Sequence, residues 1–294
     1  MKKLAASIRR VGLVANTEKP RTAALVRKAA TILGGLGRDV ILDPDTAGLC
    51  RWRKSVSASL ESLASETDLI LVFGGDGTML RVARVAAASG VPILGVNAGH
   101  LGFLTEMTAG DLAETLARID AGRFVIEERA MLEAVVTRKD GTTSWTALND
   151  FVLSRGVSSR LIEVEVSVNG ELLTRYRCDG LIASSPTGST AYSLSAGGSI
   201  VSPDADVMVL TPICPHTLSI RPIVLSLSST VGVRMLSTRL AASMTADGQV
   251  LSGLEAGDTV MLRRAGCSVR LLRPEGASFF STLRRKFGWS GGKV

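Results

Sequence analysis

The sequence predicts an α/β domain followed by a β-rich one, on three observations. Residues 1–125 alternate short apolar segments with stretches of helical period, the order that builds a parallel sheet flanked by helices. Beyond Arg123 the helical period nearly vanishes and apolar residues alternate with polar ones, as Ile162, Val164, Val166 and Val168 do with Glu163, Glu165 and Ser167. The 294 residues are roughly twice the ~150-residue prior for one domain, leaving room for two cores or one large one, and the change of style puts the cut near residue 125.

Residues 11–15 read as the first strand. Pro20 opens a helix with Leu25, Ala29, Ile32 and Leu33 on one face and Gly34, Gly35 and Gly37 at its end. Residues 40–42 form a second strand. Residues 69–73 are apolar at every position, the mark of a strand buried on both faces of a parallel sheet. A helix over about residues 78–89 and a strand over 92–96 follow. Thr108 and Asp111 have the spacing of a capping box, ahead of a helix that carries Leu112, Leu116 and Ile119 on one face up to Gly122. In the second half Asn169-Gly170 is a hairpin signal, and short strands at 207–210, 222–226, 231–236 and 259–263 suggest a sandwich or a similar layered sheet. Phe279, Phe280, Leu283 and Phe287 space like the docking face of a short final helix, with Arg284, Arg285 and Lys286 outward.

Composition narrows the function classes. Hydrophobic residues are 46% and charged residues 21%, ordinary for a globular chain. Mean hydropathy is +0.27, yet the apolar runs stay far below the ~20 residues of a membrane span, so no membrane association is expected. Ser7, Arg9 and Arg10 interrupt any apolar leader after Met1, and four cysteines without a CxxC pair read as reduced thiols; both point to the cytoplasm. His100 and His216 lie neither near a cysteine nor at HExxH spacing, so no protein-held zinc is expected, and any metal should be a hard ion on oxygen ligands. The net charge of +7 resides in the tail: from Arg263 onward there are eight basic residues and one acid, and the rest of the chain is balanced. Without aromatic interleaving or a nucleic-acid motif, that tail reads as a solvated or oligomer-facing segment, or as an attractor of anionic nucleotides, and no nucleic-acid partner is expected.

The chemistry-bearing residues cluster at strand ends. Gly74, Gly75, Asp76, Gly77 and Thr78 fall where the third strand passes into a helix, at the carboxyl edge where ligands of parallel sheets bind. The glycines let backbone approach phosphate oxygens, the helix start offers free N–H groups, and Thr78 can cap it. Asp76 would repel phosphate directly and suits a base or a ligand for a phosphate-bound cation; the competing reading is a plain turn with Asp76 as N-cap. The next strand ends in a second glycine-rich loop, where Asn97 offers donor and acceptor while Leu101, Phe103 and Leu104 pack as core and His100 is an exposed loop residue. In the β half, Asn149 and Asp150 suit a ribose diol or a base edge, or else a strand-end cap. The hydroxyl-rich loop over 184–198 looks like a helix start receiving a polar ligand, with Tyr192 placed to cover a ring.

Taken together, GGDGT (74–78), NxGxLGFL (97–104), Asn149-Asp150, Cys178-Asp179-Gly180, the 187–198 loop and Asp247-Gly248-Gln249 resemble the bacterial NAD kinase family, which uses ATP to phosphorylate the adenosine 2′-hydroxyl of NAD, giving NADP. GGDGT alone also occurs in lipid kinases of the diacylglycerol and sphingosine type. The resemblance implies a Rossmann-like domain over 1–125 joined by a returning segment at about 273–294, a β-rich domain over 126–272, and a homodimer or homotetramer using NAD, ATP and Mg²⁺ bound with ATP. It implies that Asp76 is the catalytic base, that Asn149, Asp150, Asp179, Thr190, Ala191, Tyr192 and Ser195 hold NAD, and that Arg160, Arg177 and Gln249 are more variable contacts. Arg177, two residues before Asp179 on an extended stretch, should reach the same ligand or lock Asp179, and in the resemblance a large polar residue there goes with NAD rather than NADH. A lipid kinase and a non-catalytic nucleotide- or nucleic-acid-binding protein are the rival readings.

Overall fold

The computed structural model describes residues 7–99, 101–105, 107–156, 160–217, 219–236 and 242–289; His100 lies outside them. The chain divides into two compact units, Met1–Glu128 with Val269–Val294, and Arg129–Ser268.

The first unit runs β1 (Arg10–Ala15), α1 (Arg21–Gly35), β2 (Asp39–Leu42), α2 (Pro44–Cys50), α3 (Leu60–Glu66), β3 (Leu69–Gly74), α4 (Asp76–Ser89), β4 (Ile93–Asn97), β5 (Met107–Thr108) and α5 (Leu112–Asp120). Its strands are parallel in the order β2-β1-β3-β4, a Rossmann-like arrangement. All six residues of β3 are buried, which requires cover on both faces and explains its unbroken apolar run. Helix α1 buries Ala23, Val26, Ala29 and Leu33 in a core that includes Leu13, Leu71, Phe73, Leu112 and Leu116. Gly90, at φ +72°, ends α4 in the left-handed conformation that lets the chain turn into β4.

Strand β6 (Phe124–Arg138) carries the chain into the second unit. There follow β7 (Gly141–Ala147), β8 (Asp150–Ser154), β9 (Ile162–Val168), β10 (Glu171–Cys178), β11 (Gly180–Ser184), a 3₁₀ turn (Thr187–Thr190), the one-turn α6 (Tyr192–Ser195), β12 (Val207–Ile213), β13 (Ile223–Ser226), β14 (Val231–Met235), β15 (Ala242–Ala246) and β16 (Gln249–Leu254). Long β17 (Thr259–Pro274) returns to the first unit, where α7 (Phe279–Phe287) follows. One sheet is ordered β13-β12-β11-β8-β15-β16, and the other face is built on β10-β9-β14 and the start of β17. Phe151, Leu153, Met208 and Met244 from the first share one core with Val164, Val166, Val231, Val233 and Leu262 from the second, so this unit is a β sandwich. Asn169 (φ +52°) and Gly170 (φ +86°) turn β9 into β10 as the hairpin signal required.

Several local expectations are corrected. Thr108 does not cap α5: Asp111 occupies the N-cap position, and the Thr108 hydroxyl donates to the Asp111 carboxylate at 2.6 Å. Helices α2 and α3 lack a readable apolar period because seven residues make only two turns. The strand expected over 259–263 continues to Pro274. In α7, Leu283 is buried but Phe280 is 61% exposed; the docked rings are Phe279 and Phe287, whose centroids lie 6.2 and 6.1 Å from that of Phe103. Part of the basic tail is ion-paired, with Arg263 meeting Glu133, Arg264 meeting Asp206, and buried Arg273 meeting Glu127 at 2.8 Å, while Arg284, Arg285 and Lys286 are exposed as expected. Among the described residues, no helix is long and apolar enough to cross a membrane.

Candidate functional site

In the first unit, the GGDGT loop joins β3 to α4. Gly75 is the N-cap and Asp76 the first helical residue, so neither Asp76 nor Thr78 caps the helix. The Asp76 carboxylate instead reaches the second glycine-rich loop. Its Oδ2 accepts from the Phe103 amide at 2.9 Å, and its Oδ1 accepts from the Leu104 amide at 3.1 Å and the Thr105 hydroxyl at 3.3 Å. Three donors fix the carboxylate, and they leave no room for a side chain at residue 102: a Cβ on Gly102 would lie 1.9 Å from Asp76 Oδ1. The GGDGT glycines divide by role. A Cβ on Gly74 would meet the Thr78 hydroxyl at 2.5 Å, whereas Gly75 and Gly77 face open space, with no positive φ to require glycine. Their lack of side chains serves nothing in the packing of the unit and leaves the start of α4 approachable.

Asn97, the last residue of β4, is buried and braces its own loop. Its Oδ1 accepts from the Gly99 amide at 2.5 Å and its Nδ2 donates to the Thr105 carbonyl at 3.5 Å. Of the three apolar residues assigned to core here, only Leu104 is buried; Leu101 and Phe103 are half-buried.

In the second unit, Asn149 and Asp150 open β8 against a turn from far along the chain. Asp247, at φ +49°, accepts through its carboxylate from the amides of Leu148 (3.1 Å), Asn149 (2.7 Å) and Asp150 (3.4 Å). The Asn149 carbonyl accepts from the Ser185 amide at 2.8 Å, and a Cβ on Gly188 would lie 2.1 Å from that carbonyl oxygen. The Ser185 hydroxyl donates to the Leu148 carbonyl at 2.5 Å and accepts from the Gly188 amide at 3.2 Å. Three segments are thereby locked together: 148–150, 185–188 and 247–249. Asp150 is only 4% exposed, and no described protein group donates to its carboxylate. Burial first, and the like charge of Asp247 second, push this carboxyl up to about 7. A buried carboxyl without a donor of its own is an open acceptor for a ligand hydroxyl.

The helix start expected in the loop beyond Gly188 is only a single turn. Thr190 ends a 3₁₀ turn, Ala191 is a break, and Tyr192 and Ser195 bound a single helical turn, so little helix dipole is available there. Tyr192 is 48% exposed, its ring open to a partner. Gln249 follows the Asp247-Gly248 turn at the start of β16, and Arg160 is exposed. Asp179 lies past the end of β10, and its cation is Arg155, Nε to Oδ1 2.7 Å. Arg177 pairs instead across the strand with Glu163 at 2.8 Å, as their register dictates, so it does not lock Asp179. Sequence reasoning missed Arg155 and the clamping role of Asp247, and it placed Gly102 and Ser185 in their loops without a role of their own. Asp247 carried a local signal in its Asp-Gly turn, whereas Arg155 carried none.

Fold and loops define the class: a nucleotide-binding α/β unit with a phosphate-type glycine loop, joined to a β sandwich. Residues 11–124 match the ATP-NAD kinase N-terminal domain and residues 148–273 the ATP-NAD kinase C-terminal domain. An NAD kinase of Heliobacterium modesticaldum is 45% identical over 278 residues, covering 94% of this chain and 97% of its own. Among solved structures, yeast NADH kinase complexed with NADH superposes with a TM-score of 0.90 at 28% identity, covering 98% of this chain and 89% of that one. An NAD kinase from Archaeoglobus fulgidus in complex with ATP gives 0.71 at 25% identity, covering 95% and 97%. The chain belongs to the ATP-NAD kinase family.

Proposed function

We infer that this chain carries out its family's reaction by transferring the γ-phosphoryl group of ATP to the 2′-hydroxyl of the adenosine ribose of NAD, forming NADP. The observation that carries this is the match of both kinase domains and of relatives over nearly the whole chain. The structural relatives add the two ligand classes the reaction needs, one complexed with NADH and one with ATP. Incubating purified protein with NAD, ATP and Mg²⁺ and measuring NADP tests it; a lipid kinase or a non-catalytic binder would form none.

Phosphoryl transfer depends mainly on positioning and charge neutralisation. Asp76 accepts the 2′-hydroxyl proton late, when the phosphoryl group is already arriving, so that a weak base suffices. The amides of Phe103 and Leu104 hold the carboxylate in one orientation for that step. Gly74, Gly75, Gly77, Thr78 and Asn97 shape the loops that admit phosphates, while Asn149, Asp150, Asp179, Thr190, Ala191, Tyr192 and Ser195 hold NAD, with Arg160, Arg177 and Gln249 as further contacts. Family phosphotransfer needs a divalent cation, here Mg²⁺. Among the described residues no three His, Cys, Asp or Glu side chains converge as a metal cage, which fits an ion carried chiefly by the nucleotide phosphates with at most a carboxylate such as Asp76. When bound, Mg²⁺ neutralises charge developing on the transferred group. We further propose a cytoplasmic homodimer or homotetramer, testable by sedimentation.

Gly102→Ala is expected to lower turnover on the order of 10²-fold, because its methyl displaces the loop that orients Asp76 by about an ångström or more. Steady-state rates and melting temperature check this together; full activity would mean that the loop does not position the base. Acceptor choice gives a second test. The chain is expected to prefer NAD over NADH, with the preference relaxed in Arg177→Gly. Since Arg155, not Arg177, holds Asp179, Arg155→Ala should weaken binding of both acceptors alike. Equal specificity constants for NAD and NADH in the parent would refute the selectivity assignment.

A further inference from the structure

The apolar face of α7 packs on a loop of the first unit. Phe279, Leu283, Lys286 and Phe287 stand at i, i+4, i+7 and i+8, positions that share one side of a helix. Leu283 and Thr282 are buried and anchor the helix. The rest of that face meets a single side chain. The ring centroids of Phe279 and Phe287 lie 6.2 and 6.1 Å from that of Phe103, and Lys286 Nζ lies over the same ring, 5.2 Å from its centroid. Phe280, at the margin of the face, makes a ring contact with Phe279 and none with Phe103, and it is exposed.

What α7 grips in this way is the backbone that holds Asp76. The Phe103 amide donates to Asp76 Oδ2 at 2.9 Å and the Leu104 amide to Oδ1 at 3.1 Å, so the ring clamped by the helix and an N–H that orients the carboxylate belong to one residue. The loop has little else at this point to keep it in place. It carries Gly99 and Gly102, residues that lose much conformational freedom when ordered, and Phe103 is only half-buried. The braces made by Asn97 reach the Gly99 amide and the Thr105 carbonyl, on either side of residue 103. Tilted ring pairs and a cation over a ring face are attractions that depend on orientation, so contacts from three side chains on one helix fix the direction of the Phe103 side chain as well as its burial. Reaction geometry is sensitive to such support, since a displacement of about 1 Å can cost on the order of 10²-fold in rate.

We propose that α7 is a positioning element of the reaction: Phe279, Lys286 and Phe287 fix the Phe103 ring and, through the Phe103 and Leu104 amides, the orientation of the Asp76 carboxylate. The proposal rests on the kinase reading and on Asp76 as its base.

Kinetics, NAD calorimetry and hydrogen exchange on the full chain test it. In Phe279→Ala/Phe287→Ala, kcat is expected to fall about ten- to hundredfold, with NAD affinity and the KM for NAD within about twofold of the parent. Phe279→Leu/Phe287→Leu keeps the apolar bulk and serves should the alanine pair melt below the assay temperature; it is expected to lose about threefold, the worth of a ring contact beyond its area. Phe280→Ala, which removes a ring from the same helix, should stay within about twofold. In an Asp76→Asn background the alanine pair should lower the residual rate no further, because the group it positions is gone, whereas a merely structural role would multiply the two losses. Exchange of the 102–105 amides should quicken about tenfold or more in the alanine pair. Parent-like turnover in that pair, the same fractional loss with and without Asp76, or a raised KM at unchanged kcat would each overturn the proposal. A parent that forms no NADP ends the kinase reading instead, and the hold of α7 on the Asp76 loop is then decided by exchange alone, where unchanged protection overturns it.

Discussion

Replacing Asp76 by Asn is expected to lower turnover by roughly 10²- to 10⁴-fold, the usual contribution of a general base, while NAD still binds. Titration calorimetry for NAD and steady-state rates for NADP measure the two halves. The geometry adds a third readout. Aspartate offers an oxygen to each of the Phe103 and Leu104 amides, whereas asparagine keeps one oxygen and turns an NH₂ group toward the other donor. One partly buried N–H then loses its partner, at about 1 kcal/mol or more. The melting temperature should therefore fall by several degrees, at roughly 2–4 °C per kcal/mol for a domain of this size. Activity within about tenfold of the parent would make Asp76 a loop clamp and nothing more.

Asp150→Asn should have the opposite sign in stability. Burial and the neighbouring Asp247 raise the folded-state carboxyl to about 7 from its ordinary 3.8. Below the ordinary value both folded and unfolded chains hold the proton, and the stability of this region is fully present. As pH rises, the unfolded chain releases its proton first, so stability falls until the folded carboxyl also ionises near neutrality. The whole loss is on the order of 4 kcal/mol. Asparagine has no proton to lose, so the variant should melt higher than the parent above about pH 7 and show little difference near about pH 4. NAD affinity should move the other way. A ligand hydroxyl donates best to the ionised carboxylate, so parent affinity should climb from about pH 6 to about pH 8 while the variant stays weak and flat. Thermal melts and NAD titrations across that range check both; a parent whose melting temperature rises steadily through it would show that Asp150 is not held neutral.

What the sequence by itself determined was whatever depends on near neighbours along the chain. The apolar run of β3, the period of α1, the alternation in β9 and the Asn169-Gly170 turn are readable because burial of a strand or helix face repeats every two or three to four residues. The glycine loops at the ends of β3 and β4, and the motifs from which the site residues are proposed, are local in the same sense. Tertiary structure alone decided which groups those residues meet. Asp76 is held by amides 27 and 28 positions on, and Asp247 clamps amides 97 to 99 positions back. Two residues along one strand placed Arg177 beside Asp179, but the neighbouring strand gave Arg177 a nearer carboxylate in Glu163 and left Asp179 to Arg155. Gly102 has no local reason to be glycine, since only the Asp76 carboxylate and the Thr105 hydroxyl, folded against it, exclude a side chain. Backbone periodicity is set by covalent geometry and travels with the chain, whereas hydrogen bonds and ion pairs are set by distances of a few ångströms that exist only after the sheets have chosen their register.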